Sequence, residues 1–297
     1  MNRLARPDDQ ASTLRTLREE PATAGAPARV ISVTSGKGGV GKTSIVTNVA
    51  ISLAQQGLKV LVIDADLGLA NIDVMLGLTP QYNLNHFFRG DKHLAEIIVD
   101  GPSGVRILPA GSGMQEVTRL DAQQKLRFME ELDELNEQLD VVLIDTEAGI
   151  GDNVTYFNVA AQEILVVTTP EPTAITDAYA LMKLLSQRFH QKKFLLVVNS
   201  VADADEGLEV FEKLTMVSGR YLDIAIDYLG CVPQDKRMRE TIQRQQSMVD
   251  LFPTTRISHA FTALAENLLD IQANASPKGT MQFFWRRMLD AEQGQNA

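Results

Sequence analysis

A glycine-rich segment near the start of the chain holds the residues that could do chemistry most directly. Residues 36–43 read Gly-Lys-Gly-Gly-Val-Gly-Lys-Thr, which fits the phosphate-binding pattern G-x-x-x-x-G-K-[ST] without a mismatch. Glycines let successive backbone N–H groups point inward around a phosphate, and the N-terminus of a following helix adds a favourable dipole. Lys42 would then neutralise the outer phosphate oxygens, and the Thr43 hydroxyl would reach Mg²⁺. The predicted loop residues are Gly36, Lys37, Gly38, Gly39, Val40, Gly41, Lys42, Thr43 and Ser44.

A second lysine, Lys37, follows the first glycine of this loop, where a generic phosphate-binding loop does not need a cation. One interpretation is a solvated surface charge. The sharper hypothesis is a charge available to phosphates from outside the loop, for instance across a dimer interface. We therefore count Lys37 with Lys42 as candidate catalytic cations.

Acidic residues end two of the apolar segments that follow the loop. Asp64 and Asp66 end one of them, and Asp145 ends another, with Gly149 four residues further on. The C-terminal ends of parallel strands converge where a ligand binds, so these carboxylates are candidates for holding Mg²⁺ or orienting an attacking water. A lone aspartate at a strand end is more often a turn former or helix cap. Two of them downstream of an intact phosphate loop favour the chemical role.

Polar residues also end the last two apolar segments. Asn199 follows Leu196-Val-Val, and Pro233 and Asp235 follow Val232. The amide of an asparagine offers one acceptor and two donors, which suits the edge of an adenine ring. Taken alone, this pattern is weak evidence for a nucleotide base site.

The elements that must position these residues follow from the apolar pattern. Predicted strands are Val30–Thr34, Lys59–Asp64, Val105–Pro109, Asp140–Asp145, Ile164–Thr168, Phe194–Asn199 and Asp227–Val232. Predicted helices are Thr43–Gln56, Gln123–Leu139, Thr176–His190, Gly207–Tyr221 and about Ile257–Ile271. Continuously apolar strands are buried on both faces. The pattern therefore predicts one α/β domain, with a doubly wound, mostly parallel sheet and helices on both faces.

The composition excludes several classes of protein. The 297 residues include 38 acidic and 28 basic ones, a net charge of −10, so we expect no direct DNA binding. Cys231 is the only cysteine, which excludes a disulfide or a paired-cysteine metal site within one chain. No apolar segment approaches the roughly 20 residues of a membrane span, and residues 1–20 lack the apolar centre of a signal peptide. We therefore expect a cytoplasmic protein.

The two ends of the chain differ from the body, which we expect to span residues 30–275. Residues 1–29 are polar and contain a Pro/Gly/Ala stretch typical of a flexible linker. In residues 276–297, apolar side chains recur at helical spacing beside Arg286 and Arg287. Such a helix either packs on the core or lies on an anionic membrane surface. Its apolar positions are Met281, Phe284, Trp285, Met288 and Leu289.

The segment Lys37-Gly-Gly-Val-Gly-Lys42-Thr43 resembles the deviant Walker A motif of the MinD/ParA ATPases. Residues 64–71, Asp-Ala-Asp-Leu-Gly-Leu-Ala-Asn, are similar to the switch I segment of that family, and residues 145–149 to its switch II. The resemblance extends from about Val30 to Leu269. It implies a P-loop NTPase fold of the SIMIBI type, with ATP and Mg²⁺ bound and a slow, partner-stimulated hydrolysis of ATP.

The resemblance also implies a switch between a monomer and an ATP-bound homodimer, in which Lys37 of each copy contacts phosphates bound to the other. Asp66 would position the hydrolytic water. Residues that would serve Mg²⁺, directly or through water, are Thr43, Asp64 and Asp145. Residues that would hold adenine are Asn199, Pro233 and Asp235.

The chain departs from the family at position 147, where it has Glu and other members carry a small residue or proline. A carboxylate beside the outer phosphate would repel the nucleotide unless it points away or pairs with a cation such as Lys37. The departure bears on hydrolysis and on the geometry of switch II.

Within the family, further segments resemble the regulators of flagellar number. Residues 9–15 are similar to an N-terminal D-Q-A-x-x-L-R motif, residues 170–180 to a signature in the body, and the C-terminal helix to a membrane-targeting tail. The resemblance implies a protein that cycles between cytoplasm and inner membrane, at a cell pole. Implied partners are anionic lipids, the signal-recognition-type GTPase FlhF, flagellar C-ring proteins and, in some bacteria, the transcriptional activator FleQ. The motif residues that would bind FlhF are Asp9, Gln10, Leu14 and Arg15.

Two alternatives remain open at this point. The first is a MinD-type protein of the division site or a ParA-type partitioning protein, although the acidic balance argues against a ParA that binds DNA. The second is a nucleotide-gated scaffold with little turnover, for which Glu147 is the motivating residue.

Overall fold

A computed structural model describes residues 28–66, 71–109, 122–136 and 138–272 of the chain. The predicted partner-binding motif at Asp9–Arg15 and the predicted membrane helix at Met281–Leu289 lie outside these ranges. The predicted domain boundary after residue 275 also lies outside them, whereas the boundary after residue 29 lies within. Statements about structure below refer to the described ranges.

The described strands form one eight-stranded sheet in the order β3-β4-β2-β5-β1-β6-β7-β8. All neighbouring strands are parallel except β3 and β4, which are antiparallel. The strands are β1 Arg29–Ser35, β2 Val60–Ala65, β3 Val99–Asp100, β4 Arg106–Pro109, β5 Val141–Ala148, β6 Glu163–Thr168, β7 Lys193–Val201 and β8 Ala225–Pro233. The predicted parallel sheet is confirmed, and each predicted strand overlaps an observed one.

Five helices correspond to predicted ones, and six shorter ones accompany them. The predicted ones are α1 Lys42–Gln55, α5 Ala122–Asn136, α7 Pro172–Phe189, α8 Ala204–Tyr221 and α11 Arg256–Gln272. The others are α2 Ile72–Leu76, α3 Leu84–Phe88, α4 Leu94–Ile97, α6 Asp152–Ala160, α9 Arg237–Arg244 and α10 Met248–Leu251. None of the described helices is long and apolar enough to cross a bilayer.

Side chains on both faces of the sheet are buried, as the continuous apolar strands predict. On one face, Ile31 and Val62 belong to a cluster that includes Val46 of α1 and Phe261 of α11. On the opposite face, residues of the same strands pack with the aromatic side chains Phe87 and Phe128, and residues of β6 and β7 pack with α7 and α8. The sheet is therefore the middle of three layers.

The sequence pattern missed β3 and the six shorter helices, of which α6 is the longest. β3 has two residues and pairs only with the edge of β4, so it has no apolar period to detect. α6 contains Val154, Thr155 and Val159, which are β-branched residues of low helix propensity. Burial of Val154 and Phe157 against the sheet stabilises this helix in spite of its composition.

Arg29, the first residue of β1, ties the N-terminal edge of the sheet to the last described helix. Its guanidinium donates to both carboxylate oxygens of Glu163 on β6 and to the backbone carbonyl of Leu268 in α11. The side chain of Arg29 is buried, whereas Glu163 is partly exposed. A buried guanidinium needs these acceptors, because an unpaired charge in this position would be strongly destabilising.

Replacing Arg29 by Met should therefore destabilise the fold. Breaking a buried ion pair costs about 3–5 kcal/mol. Because Glu163 is partly exposed, we expect the free energy of unfolding to fall by about 3 kcal/mol. Urea unfolding measures it. As a control, Arg106→Met, which removes a half-buried arginine whose hydrogen bond to Gln138 is exposed to solvent, should change the free energy of unfolding by less than about 0.5 kcal/mol. Equal effects of the two substitutions would contradict the anchoring role of Arg29.

Candidate nucleotide-binding site

The predicted phosphate loop connects the end of β1 to the start of α1, at the edge of the sheet where the parallel strands end. Gly39 and Gly41 have positive φ angles of 78° and 89°, which only glycine adopts readily. Around Gly38 and Gly39 the loop faces open space, since a Cβ atom added to either would have no neighbour within 4 Å. The backbone of the loop is therefore uncovered at Gly38 and Gly39, just before α1 begins.

Two other glycines hold this loop against the rest of the fold. A Cβ on Gly36 would lie 2.2 Å from the backbone carbonyl oxygen of Asp177 in α7. A Cβ on Gly41 would lie 2.2 Å from the side-chain nitrogen of Asn199 on β7. At Gly36 the obstacle is rigid backbone, so packing requires glycine there. At Gly41 a side chain would displace the Asn199 amide, and its positive φ angle of 89° also favours glycine. The loop is clamped between α7 and β7.

Lys42 and Asp145 form a buried ion pair under the loop. The Lys42 ammonium donates to Asp145 Oδ1 at 3.3 Å, and the two residues are 8% and 1% exposed. Burial raises the pKa of the Asp145 carboxyl, while Lys42 and a hydrogen bond with the Thr43 side chain oppose this shift. The structure thus brings together three residues that the sequence predicted for phosphate and Mg²⁺.

Asp64 lies beside Asp145, because β2 and β5 pair with these two residues in register. Its carboxylate accepts backbone N–H groups from Asp66 at 3.3 Å, Asn71 at 3.0 Å and Ile72 at 3.2 Å. Burial raises the pKa of Asp64 to about 6; the three N–H groups act against this shift, and the nearby Asp145 carboxylate adds to it. Asp66 is half-buried at the end of β2.

Lys37 is held by α7 of its own chain. Its ammonium donates to Glu171 Oε2 at 2.7 Å and to the Thr173 hydroxyl at 3.0 Å, and its side chain is 38% exposed. Glu147 is exposed at the end of β5. The carboxylate that pairs with Lys37 here is therefore that of Glu171, a residue that the sequence pattern did not single out. Glu171 and Lys37 are 134 positions apart in the sequence, so the local sequence pattern could not predict this contact.

The residues predicted to hold adenine lie at the ends of β7 and β8, where their polar groups contact the protein. The Asn199 side-chain N–H donates to the Val40 carbonyl of the phosphate loop at 2.7 Å. Asp235 accepts two hydrogen bonds from the Arg237 guanidinium, which holds the pKa of its carboxyl below the usual range. Pro233 is the buried last residue of β8. The structure thus shows Asn199 supporting the phosphate loop, and the adenine role of the three residues stays a prediction.

The residues present fit a nucleotide phosphate and a divalent cation. No described atom covers the loop within 4 Å of a Cβ placed at Gly38 or Gly39, and the buried Lys42 ammonium donates to Asp145. Among the described residues, no group of three or more His, Cys, Asp or Glu forms a ready metal cage. Asp145, which contacts Lys42 and the Thr43 side chain, suits Mg²⁺, because this ion is usually held by one or two carboxylates together with substrate phosphates and waters.

Comparison with known proteins agrees with this site. A sequence model of the ParA family, described as "NUBPL iron-transfer P-loop NTPase", matches residues 27–269. The chain belongs to the ParA family of P-loop NTPases. It is 43% identical over 263 residues to the antiactivator FleN of Pseudomonas aeruginosa, covering 89% of this chain and 94% of that protein. It is 34% identical to the flagellum site-determining protein YlxH of Helicobacter pylori, over 88% and 90% of the two chains.

Solved structures show the same fold. The MinD chain in the MinC:MinD cell division complex of Aquifex aeolicus aligns with a TM-score of 0.65 at 26% identity, covering 85% of this chain and 99% of that one. The septum site-determining protein MinD of Pyrococcus horikoshii, complexed with Mg-ADP, aligns equally well over 84% of this chain. The predicted family and fold class are both confirmed.

The clamp at Gly36 can be tested by adding one methyl group. Gly36→Ala should lower the free energy of unfolding by about 1–3 kcal/mol, the usual cost of overpacking, because its Cβ overlaps the rigid backbone of α7. Gly38→Ala, in the same loop but with open space around it, is the matched control and should change stability far less. Urea unfolding without nucleotide measures both. A loss as large for Gly38→Ala as for Gly36→Ala would disprove the packing argument.

Proposed function

We propose that this chain is an ATP-driven regulatory switch that restricts the number and placement of flagella. The observation that carries the nucleotide part is the buried Lys42–Asp145 pair beneath an open, glycine-lined loop. The flagellar part is supported by the 43% identity to FleN and the 34% identity to YlxH. The resemblance of residues 9–15 and 170–180 to the flagellar-number regulators FlhG (FleN) supports the flagellar part as well.

The proposed chemistry follows from the positions of the side chains. The Lys42 ammonium and the loop N–H groups bind the outer phosphates, and Lys42 exchanges its contact with Asp145 for them. Thr43 and Asp145 are placed to hold Mg²⁺, which neutralises phosphate charge during phosphoryl transfer. Asp66 orients the attacking water from the end of β2. As the family resemblance implies, the proposed hydrolysis is slow and is stimulated by partners.

Dimerisation uses Lys37. In the proposed homodimer, each Lys37 leaves Glu171 and contacts phosphates bound to the second copy. Exposed ion pairs contribute about 0–1 kcal/mol, so the contact of Lys37 with Glu171, which is itself 65% exposed, is weak enough to be exchanged for a triphosphate. Glu147 is exposed at the end of β5, and its effect on hydrolysis stays a prediction.

The two ends of the chain supply the proposed output. Gln10 and its neighbours in the N-terminal motif stimulate an FlhF-type GTPase, and C-ring proteins and FleQ are further partners. The C-terminal helix, with Trp285 beside Arg286 and Arg287, binds anionic lipids of the inner membrane. One such helix binds weakly, and two in a dimer bind through avidity. ATP thereby controls whether the protein is cytoplasmic or on the membrane.

Other functions within the family have less support. The division-site MinD structures align at 26% identity, well below the 43% found for FleN. A role in iron transfer, named in the description of the matching family model, would need paired thiolates for a cluster shared between copies. Cys231 is the only cysteine of this chain and is half-buried on β8. A scaffold without turnover is distinguished by measuring ATP hydrolysis with partners present.

The dimer is tested by size-exclusion chromatography with ATP and with ADP. Asp66→Ala, which removes the water-orienting carboxylate, should accumulate as a dimer with ATP and stay monomeric with ADP. Adding Lys37→Ala to it should abolish the dimer. Adding Lys192→Ala instead, which removes an exposed lysine paired with Asp223, should leave the dimer intact. A monomer for Asp66→Ala in ATP would refute the proposed switch.

Membrane recruitment is tested by vesicle sedimentation. The full chain with ATP should bind vesicles that contain anionic lipid at least tenfold better than with ADP, because only the dimer presents two helices. Deleting residues 279–297 should remove this binding. Trp285→Glu should weaken it strongly, whereas Gln282→Glu, on the polar face, should have a small effect. Unchanged binding after the deletion would show that the tail is not the membrane anchor.

A further inference from the structure

The carboxylate of Asp64 lies against the two ends of the segment between β2 and α2. Its Oδ1 accepts the backbone N–H of Asp66 at 3.3 Å, and its Oδ2 accepts those of Asn71 at 3.0 Å and Ile72 at 3.2 Å. We propose that Asp64 is a positioning residue that fixes the start of α2 to the end of β2, and with it the backbone of Asp66, and that it is not a ligand of Mg²⁺. The inference rests on the proposed function for the role of Asp66.

The hydrogen bonds of Asp64 replace a missing helix cap. The first N–H groups of a helix have no partner within the helix, and the side chain of the N-cap residue often accepts one of them. At α2 the N-cap residue is Asn71, whose side chain makes no capping hydrogen bond. Asp64 accepts from Asn71 and Ile72 instead, and its negative charge also suits the positive end of the helix dipole. The cap of α2 is therefore supplied from the neighbouring strand.

The position of Asp64 makes these contacts hard to give up. Asp64 is 2% exposed and Ile72 is 1% exposed, so water cannot easily replace a lost hydrogen bond there. A carboxylate has about four acceptor positions, and three N–H groups already use both oxygens. Turning Asp64 toward a metal would leave the start of α2 unpaired.

The rest of α2 is held independently. The Gln245 side chain, which follows α9, donates to the Val74 carbonyl at 2.8 Å. With α2 attached on that side, the hydrogen bonds of Asp64 set how the end of β2 meets the helix. They therefore also set the backbone position of Asp66.

Asp145 differs from Asp64 in its contacts. Its hydrogen bonds are with the side chains of Lys42 and Thr43, which belong to the phosphate loop. Phosphate oxygens would offer Lys42 and Thr43 other partners, so Asp145 would be available to hold Mg²⁺. Asp64 is instead held by backbone N–H groups at the end of β2 and the start of α2.

Amide hydrogen exchange on the full chain tests the inference directly. The Asn71 and Ile72 amides should be protected in the apoprotein and should stay protected after addition of Mg-ADP. Asp64→Ala should accelerate their exchange at least tenfold and leave the Val33 amide of the core unchanged. Rapid exchange in the wild-type apoprotein, or loss of protection on adding Mg-ADP, would overturn the inference. The wild-type measurements decide it even where the variant does not fold.

A second experiment compares Asp64→Asn with Asp145→Asn in the Mg²⁺ dependence of binding of a fluorescent ADP analogue. Asparagine keeps one acceptor oxygen but turns its NH₂ group toward backbone N–H groups. Asp64→Asn should shift the Mg²⁺ concentration for half-saturation less than threefold. In a parallel assay of ATP hydrolysis, it should lower kcat at least tenfold and leave KM for ATP unchanged. Asp145→Asn should raise the half-saturation at least tenfold. A shift of threefold or more for Asp64→Asn would make Asp64 a metal ligand. Absence of any nucleotide binding by the wild type would refute the proposed function, while the exchange experiment would still judge the role of Asp64.

Discussion

The buried pair between Lys42 and Asp145 is the interaction on which the site depends. A lysine and an aspartate this far from water are stable only while each has the other or an equivalent partner. The pair joins the end of β5 to the start of α1, so it holds the phosphate loop over the edge of the sheet. A bound triphosphate would take the place of Asp145 as the anion beside Lys42, and Mg²⁺ would take the place of Lys42 as the cation beside Asp145. Nucleotide binding would therefore leave neither charge unpaired.

Backbone packing supports this pair from two sides. The absence of a side chain at Gly36 lets the loop contact the backbone of α7, and its absence at Gly41 lets Asn199 of β7 reach the Val40 carbonyl. The N-cap residue of α7 is Glu171, the partner of Lys37. The same helix thus contacts the two parts of the loop that the proposed switch needs, one through close packing and one through an exchangeable ion pair. Close packing fixes the loop backbone at Gly36, whereas the weaker ion pair lets the Lys37 ammonium exchange its partner in the proposed switch.

The two strand-end aspartates Asp64 and Asp145 are neighbours with different hydrogen-bond partners. Asp64 and Asp145 are adjacent in register and similarly buried, and burial raises the pKa of both. They differ in their partners: Asp145 faces the side chains of the phosphate loop, and Asp64 faces the backbone of the segment that follows it. Sequence reasoning assigned both to Mg²⁺, because two acids at parallel strand ends look alike until their hydrogen bonds are known.

The sequence by itself determined the class of fold and the phosphate loop. Apolar segments without alternation require a sheet covered on both faces, and the glycine and lysine spacing of residues 36–43 is a local pattern whose chemistry does not depend on distant residues. Only the tertiary structure decided which partner each polar side chain has. Lys37 with Glu171, Arg29 with Glu163 and Asn199 with Val40 are all more than 130 positions apart. Such contacts depend on the order of the strands and the packing of the helices, so they cannot be predicted from the pattern of neighbouring residues.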